Sequence, residues 1–177
     1  MDLRRTLLLF SFIFTGSLAI AQPKDRWTIQ DGGAIRWSIN DNIPHDDHLE
    51  MSGQQLSVVL RYGVDAQKRF HLNRSLVFPM LRMHPNKTQN NLKQRFDVNI
   101  PALVTVDDQT LLNEEVRDVT FNGIMRVESS FGYIYRRKEL KDAVQLTRVL
   151  YPSTNAAHYC EEYTFKNSSP NQITLRV

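Results

Sequence analysis

Short apolar runs separated by turn-forming residues dominate the chain from residue 26 onward. The runs are rich in Val, Ile, Phe, Tyr and Thr, and the breaks carry Gly, Pro, Asn and Asp. That alternation is the signature of half-buried strands. Trp27-Thr28-Ile29-Gln30 and Ala34-Ile35-Arg36-Trp37-Ser38-Ile39 flank Asp31-Gly32-Gly33, which predicts a hairpin. Pairing about Gly32 opposes Ile29 to Ile35 and Trp27 to Trp37. All four then share one face, while Thr28, Arg36 and Ser38 take the other. Both tryptophans are therefore expected in a core and not on an exposed platform.

Further strands are expected over 56–64, over 70–83 with an interruption at Pro79, and over 96–106. Asp107-Asp108 reads as a turn before 110–112. The series continues over 119–129, 133–138, 143–151 and 159–166, and Asn167-Ser168-Ser169-Pro170-Asn171 turns the chain into 173–177. Only 111–119 offers a helical spacing, and it is short. Without a strand–helix–strand rhythm, parallel α/β folds are disfavoured. The expectation is all-β: a large, two-sheet antiparallel β-sandwich with little helix.

Two features concern the whole chain. Leu72-Asn73-Arg74-Ser75-Leu76-Val77-Phe78-Pro79 is echoed by Leu146-Thr147-Arg148-Val149-Leu150-Tyr151-Pro152. The echo is either a pair of equivalent strands or a chance similarity. The chain also stops at Val177 while still alternating as a strand does. Either that strand is interior to a sheet, or the chain is the front piece of something longer.

The first 21 residues change the picture of where the protein works. Arg4 and Arg5 precede a mostly apolar stretch, and Ala19-Ile20-Ala21 has the small-x-small form of a cleavage site. Residues 1–21 are predicted to be a signal peptide, leaving residues 22–177 as one exported β-sandwich domain, secreted or periplasmic. The apolar stretch is shorter than a membrane span requires, so no stable anchor is expected after cleavage. The net charge of +3, from 22 basic and 19 acidic residues, is too small and too mixed to imply nucleic acid. Cys160 is the single cysteine, which excludes a disulfide-built scaffold. Within His158-Tyr159-Cys160-Glu161 it reads as a small buried hydrophobe in a strand and not as a nucleophile.

Candidate chemistry concentrates in His45-Asp46-Asp47-His48-Leu49-Glu50-Met51-Ser52-Gly53. Pro44 and the aspartate pair point to a loop. Three uses of it stand open: part of a divalent-cation site, a carbohydrate or interdomain contact, or a plain solvated connection. His48 and Glu50 would share a face if a strand began there. A metal site would need a third ligand from elsewhere, and no metal or cofactor is expected. Glu114-Glu115 and Glu161-Glu162 are adjacent pairs, so each pair points to opposite faces of a strand. Neither supplies the facing carboxylates of glycoside hydrolysis. A combination among Glu50, Asp97, Glu128 and Glu161 is conceivable but not selected by spacing. Arg74, Arg82, Arg95 and Arg148 sit in apolar strands and need partners if buried, for instance Glu50 for Arg74 or Arg82. No nucleophile elbow, phosphate loop or dinucleotide fingerprint occurs. Sequons stand at Asn73, Asn86 and Asn167.

The order of Ile35-Arg36-Trp37, the 45–53 segment, and Leu76-Val77-Phe78-Pro79-Met80-Leu81-Arg82 with Pro85-Asn86-Lys87-Thr88 resembles the N-terminal β-sandwich of bacterial secreted six-hairpin glycosidases. The resemblance covers most of residues 27–177, including the 148–153 segment. It implies a front, accessory domain of a glycoside hydrolase whose catalytic carboxylates lie in a downstream (α/α)6 barrel, absent from this chain. No catalytic residue is carried over to this sequence. The implied partners are that barrel, or its split product, and an oligo- or polysaccharide. His45, Asp46, Asp47, His48, Glu50 and Arg82 are the residues expected to make ligand or interdomain contacts. The competing expectation is a free-standing secreted carbohydrate-binding sandwich.

Overall fold

The structure, a computed structural model, describes residues 26–38, 44–66, 69–78 and 93–177. It is all-β: antiparallel sheets packed face to face, as the strand periodicity predicts, with no α-helix among the described residues. The leader, Arg82 and the Asn86 sequon lie outside the described residues.

The larger sheet has six strands in the order β1 (Trp27–Ile29), β2 (Ile35–Ser38), β9 (Glu114–Phe121), β10 (Met125–Tyr135), β11 (Lys138–Pro152) and β12 (Tyr159–Asn167). The second sheet has four, β3 (His45–Ser52), β4 (Ser57–Val64), β5 (Phe70–Val77) and β6 (Lys93–Phe96). A three-stranded flap is formed by β13 (Leu175–Arg176), β7 (Thr105–Val106) and β8 (Gln109–Thr110). The first hairpin has the expected register, Trp27 opposite Trp37 and Ile29 opposite Ile35. Gly32 and Gly33 both take positive φ in its turn, which only glycine does without strain. Asp107 and Asp108 turn the chain from β7 to β8, also with positive φ.

Strands β10 and β11 are longer than any one opposing sheet, so they support two cores. Over one half, Trp37, Val119, Val127 and Leu150 meet Met51, Val58, Leu60 and Tyr62 of the four-stranded sheet. Over the other half, Phe131, Tyr133, Val144 and Leu146 meet Val106 of the flap, with Leu111 and Ile173 packed alongside. Trp37 is 4% exposed and the half-buried Trp27 packs on it, their ring centroids 6.1 Å apart. Ile29, on the same face, projects past the core and is 82% exposed.

Several expectations need correction. Of the 45–53 segment, His45–Ser52 is a strand and not a loop, because Leu49 and Met51 alternate with charged residues and bury on the facing sheet. The short helical spacing at 111–119 is overridden: from Glu114 the chain is β9, which pairs with both β2 and β10. The predicted strand over 96–106 is broken. Pro101 lacks an N–H for a ladder, and the chain makes a 3-10 turn over Ile100–Leu103 before β7. Cys160 is not in the core: it sits opposite Tyr151 on the outward face of the six-stranded sheet, half-buried and free.

Candidate functional site

Two polar assemblies stand out, one between the sheets and one on an outer face. The first lies at the seam of the two cores. Along the inward face of β11, Leu146 belongs to one core and Leu150 to the other, with Arg148 between them. Arg148 donates two parallel hydrogen bonds to Glu114, from Nη1 to Oε1 at 2.5 Å and from Nη2 to Oε2 at 2.9 Å. Arg74 on β5 does the same to Glu161 on β12, tying the four-stranded sheet to the six-stranded one. Each guanidinium also lies 5.5 Å from a phenyl centroid, Phe96 for Arg74 and Phe70 for Arg148. Glu50 is therefore not the partner of Arg74; it points to the opposite side of its sheet.

Every nitrogen of the Arg74 guanidinium is engaged, with the Leu72 and Val98 carbonyls and the Tyr163 hydroxyl completing the set. A cleft of about 230 Å³ opens beside it, lined by Phe70, Val98, Pro101, Glu114, Arg148 and Tyr163. Burial alone would raise the Glu161 pKa, but hydrogen bonds from Arg74 and Tyr163, with the Tyr159 hydroxyl close by, outweigh it and hold the carboxyl below its ordinary value. Burial and the neighbouring Glu161 charge push the Tyr163 phenol up to about 12. The buried Tyr159 hydroxyl lies near the same carboxylate without a well-aligned hydrogen bond. Burial first, then that charge, push its ionisation well above the usual tyrosine range. A general acid needs the reverse, a carboxyl kept protonated near neutral pH. This cluster is suited to holding two sheets together and not to proton transfer.

The second assembly is the outward face of the four-stranded sheet. Strand β3 divides the sequence-predicted residues between two sides. His45 and Asp47 turn inward, where the His45 ring meets Trp37 edge-on with centroids 4.9 Å apart and its Nε2 lies 3.5 Å from Asp47 Oδ2. Asp46, His48 and Glu50 turn outward. Asp46 and His71 flank Gly63 in one cross-strand row, and Asp46 Oδ1 reaches over the glycine to His71 Nε2 at 2.8 Å. A Cβ at Gly63 would stand 2.4 Å from Asp46 Oδ1 and 2.1 Å from the His45 carbonyl oxygen, so only glycine admits this bridge. The next row is His48, Arg61 and Asn73. Asn73 Nδ2 donates to Asp97 Oδ1 at 2.8 Å.

These side chains border an open hollow of about 400 Å³, lined by Asp46, His48, Val59, Arg61, His71 and Asn73. It offers a guanidinium without an ion pair among the described residues, imidazoles, an amide and carboxylates. Such a set recognises hydroxyl-bearing or charged ligands through hydrogen bonds. Among the described residues, no three His, Cys, Asp or Glu side chains converge as metal ligands. Glu50, Asp97, Glu128 and Glu161 do not come together either: Glu161 is committed to Arg74, Glu128 to Arg126 and Asp97 to Asn73. Arg61, His71 and Asn73 are contributors that sequence reasoning missed, while Asp97, expected only within a four-carboxylate combination, is reached through Asn73. The signals for them were the outward alternation His71-x-Asn73 and a glycine inside an otherwise regular strand. No family model, curated protein or solved structure matches the chain.

Proposed function

We propose that this chain is the non-catalytic β-sandwich of an exported glycoside hydrolase, acting beside an (α/α)6 barrel that carries the bond-breaking carboxylates. The observation that carries this reading is the state of the inward-facing glutamates. Glu114 and Glu161 are each neutralised by a buried arginine, and the Glu161 pKa is lowered and not raised. Retaining and inverting glycosidases both need a protonated carboxyl and a second, free carboxylate facing it. The outward hollow around Arg61 and the Asp46–His71 bridge is the surface that would meet the barrel or its saccharide. The motif order from Ile35 to Thr88 supports the same assignment.

A free-standing carbohydrate-binding sandwich is the competing reading, and its best aromatic platform is spent in the core, Trp37 being buried and Trp27 packed on it. The test is an assay of the full chain, expressed with its own leader, against a panel of aryl glycosides. The expected result is no turnover above the enzyme-free rate. Turnover that disappears in Glu161→Gln would overturn the reading. Firm retention on insoluble polysaccharide, lost in Arg61→Ala, would move the assignment to the binding module.

A further inference from the structure

The sheet edges differ in how they are protected. Strand β1 has three residues and β6 has four. Strand β3 is eight residues long but carries two outward carboxylates, Asp46 and Glu50, with His48 between them. Short strands and edge charges are common devices against strand addition. Strand β12 has neither length limit nor interruption. Its nine residues pair with β11 in one unbroken register from Val144 opposite Asn167 to Pro152 opposite Tyr159, and it ends the order of the six-stranded sheet. No proline or bulge interrupts it, and no strand among the described residues pairs with its other edge.

The side chains of β12 are self-complementary. Glu162, Thr164 and Lys166 lie on the outward face, with Tyr163 and Phe165 half-buried on the inward one. Laying a second β12 antiparallel about a two-fold axis at Thr164 sets Glu162 opposite Lys166 of the other copy, twice. The same register sets Tyr163 opposite Phe165, also twice. Centring the axis on Glu162 or Lys166 would oppose like charges, and centring it on Tyr163 or Phe165 leaves the charges without partners. Lys166 has no ion pair among the described residues. Glu162 accepts a hydrogen bond from Tyr151 through Oε1, which leaves its other oxygen available.

We infer that the chain forms a two-fold dimer by antiparallel addition of β12 to β12, joining the two six-stranded sheets into one. The occupant of the open edge is a second copy of this chain, specified by the Glu162–Lys166 cross-pairs. The interface uses neither the hollow around Arg61 nor the proposed hydrolase assignment, so each stands or falls alone.

The test is size-exclusion chromatography with light scattering on the full chain, expressed with its own leader. Wild type is expected at twice the chain mass. Lys166→Glu, which opposes two pairs of like charges by symmetry, is expected to weaken the dimer by about tenfold or more. Glu162→Lys combined with Lys166→Glu is expected to restore it, with unchanged thermal unfolding of the monomer fold as control. In a Cys160→Ser background, Thr164→Cys is expected to cross-link under mild oxidant. Thr147→Cys, one strand further from the axis and about 14 Å from its copy, is not. A monomeric wild type, a dimer indifferent to Lys166→Glu, or a failure of Thr164→Cys to cross-link would each overturn the proposal.

Discussion

Arg74 Nη2 lies 2.9 Å from Glu161 Oε2, across the gap between the two sheets. The arginine side chain is 3% exposed and the glutamate 13%. The pair therefore sits where water cannot compensate for the loss of either partner. Tyr163 and two backbone carbonyls satisfy the remaining donors of the Arg74 guanidinium. Such a cluster fixes how the sheets align more than it adds net stability.

Removing one member should therefore be far worse than removing both. Arg74→Met leaves the Glu161 carboxylate buried and unpaired, and is expected to cost about 3–5 kcal/mol. Arg74→Met with Glu161→Leu is expected to recover more than half of that loss, since no charge is left stranded. Urea unfolding midpoints of the three proteins check the order. Equal destabilisation by the single and double replacements would contradict it.

The same cluster sets a pH window. Glu161 has a folded pKa below its ordinary 4.5, so its contribution is fully present above about that pH and is lost as pH falls through the folded value. Tyr163 has a folded pKa raised from 10.0 to about 12, so its contribution is present below about pH 10 and is lost as pH rises towards 12. Neither group changes the stability between these limits, and each lowers it on its own side. Glu161→Gln is expected to make the acid limb shallower. Tyr163→Phe should do so for the alkaline limb, where Tyr62 and Tyr159 also contribute. Thermal unfolding followed across pH reads both slopes.

Much of the fold was legible because strand periodicity is local. The Trp27–Trp37 register follows from a hairpin turn and two short runs, and it is found as expected. The β3 segment was not legible as a strand because Pro44 and two aspartates mimic a turn; Leu49 and Met51, two residues apart, were the better signal. Arginine partners were illegible for a different reason. Which carboxylate meets Arg74 depends on layer order, and a reading along the chain cannot know that Glu50 faces away while Glu161 faces in. The echo of Arg74 in Arg148 acquires a physical meaning only in three dimensions. Both are buried, both grip a glutamate, and both lie against a phenylalanine. The outward site was half visible, since strand alternation assembles Asp46 and His48, whereas His71, Arg61 and Asn73 join them only through pairing.

Gly63 should be intolerant of any side chain. A Cβ there meets the His45 carbonyl oxygen at 2.1 Å, a backbone atom that cannot swing aside. Gly63→Ala is expected to cost about 1–3 kcal/mol by forcing β3 away from β4 and parting Asp46 from His71. Asp46→Ala breaks the same bridge without the collision, and Asp46 is largely exposed while His71 is half-buried, so it should cost well under 1 kcal/mol. Denaturant midpoints separate the two, and a Gly63→Ala protein as stable as Asp46→Ala would refute the steric account.

Asp142 presents the opposite case, a strained residue held by its contacts. It takes a positive φ of 53° within β11, opposite the irregular register around Gly132. Its Oδ1 accepts a hydrogen bond of 2.6 Å from the buried Ser130 hydroxyl and lies 3.0 Å from Arg117 Nη2. The Ser130 hydrogen bond is the foremost cause holding its pKa below 3.8. Asp142→Ala keeps the strain, since alanine tolerates positive φ poorly, and also strands the Ser130 hydroxyl; the expected cost is about 1–3 kcal/mol. Asp142→Asn tolerates the same backbone and can still accept from Ser130, so it should lose less than half as much. Ser130→Ala removes the buried hydroxyl altogether, and in that background the Asp142→Ala cost should shrink. A double-mutant cycle by urea unfolding measures the difference, and a coupling energy near zero would show that Ser130 does not hold Asp142 in place.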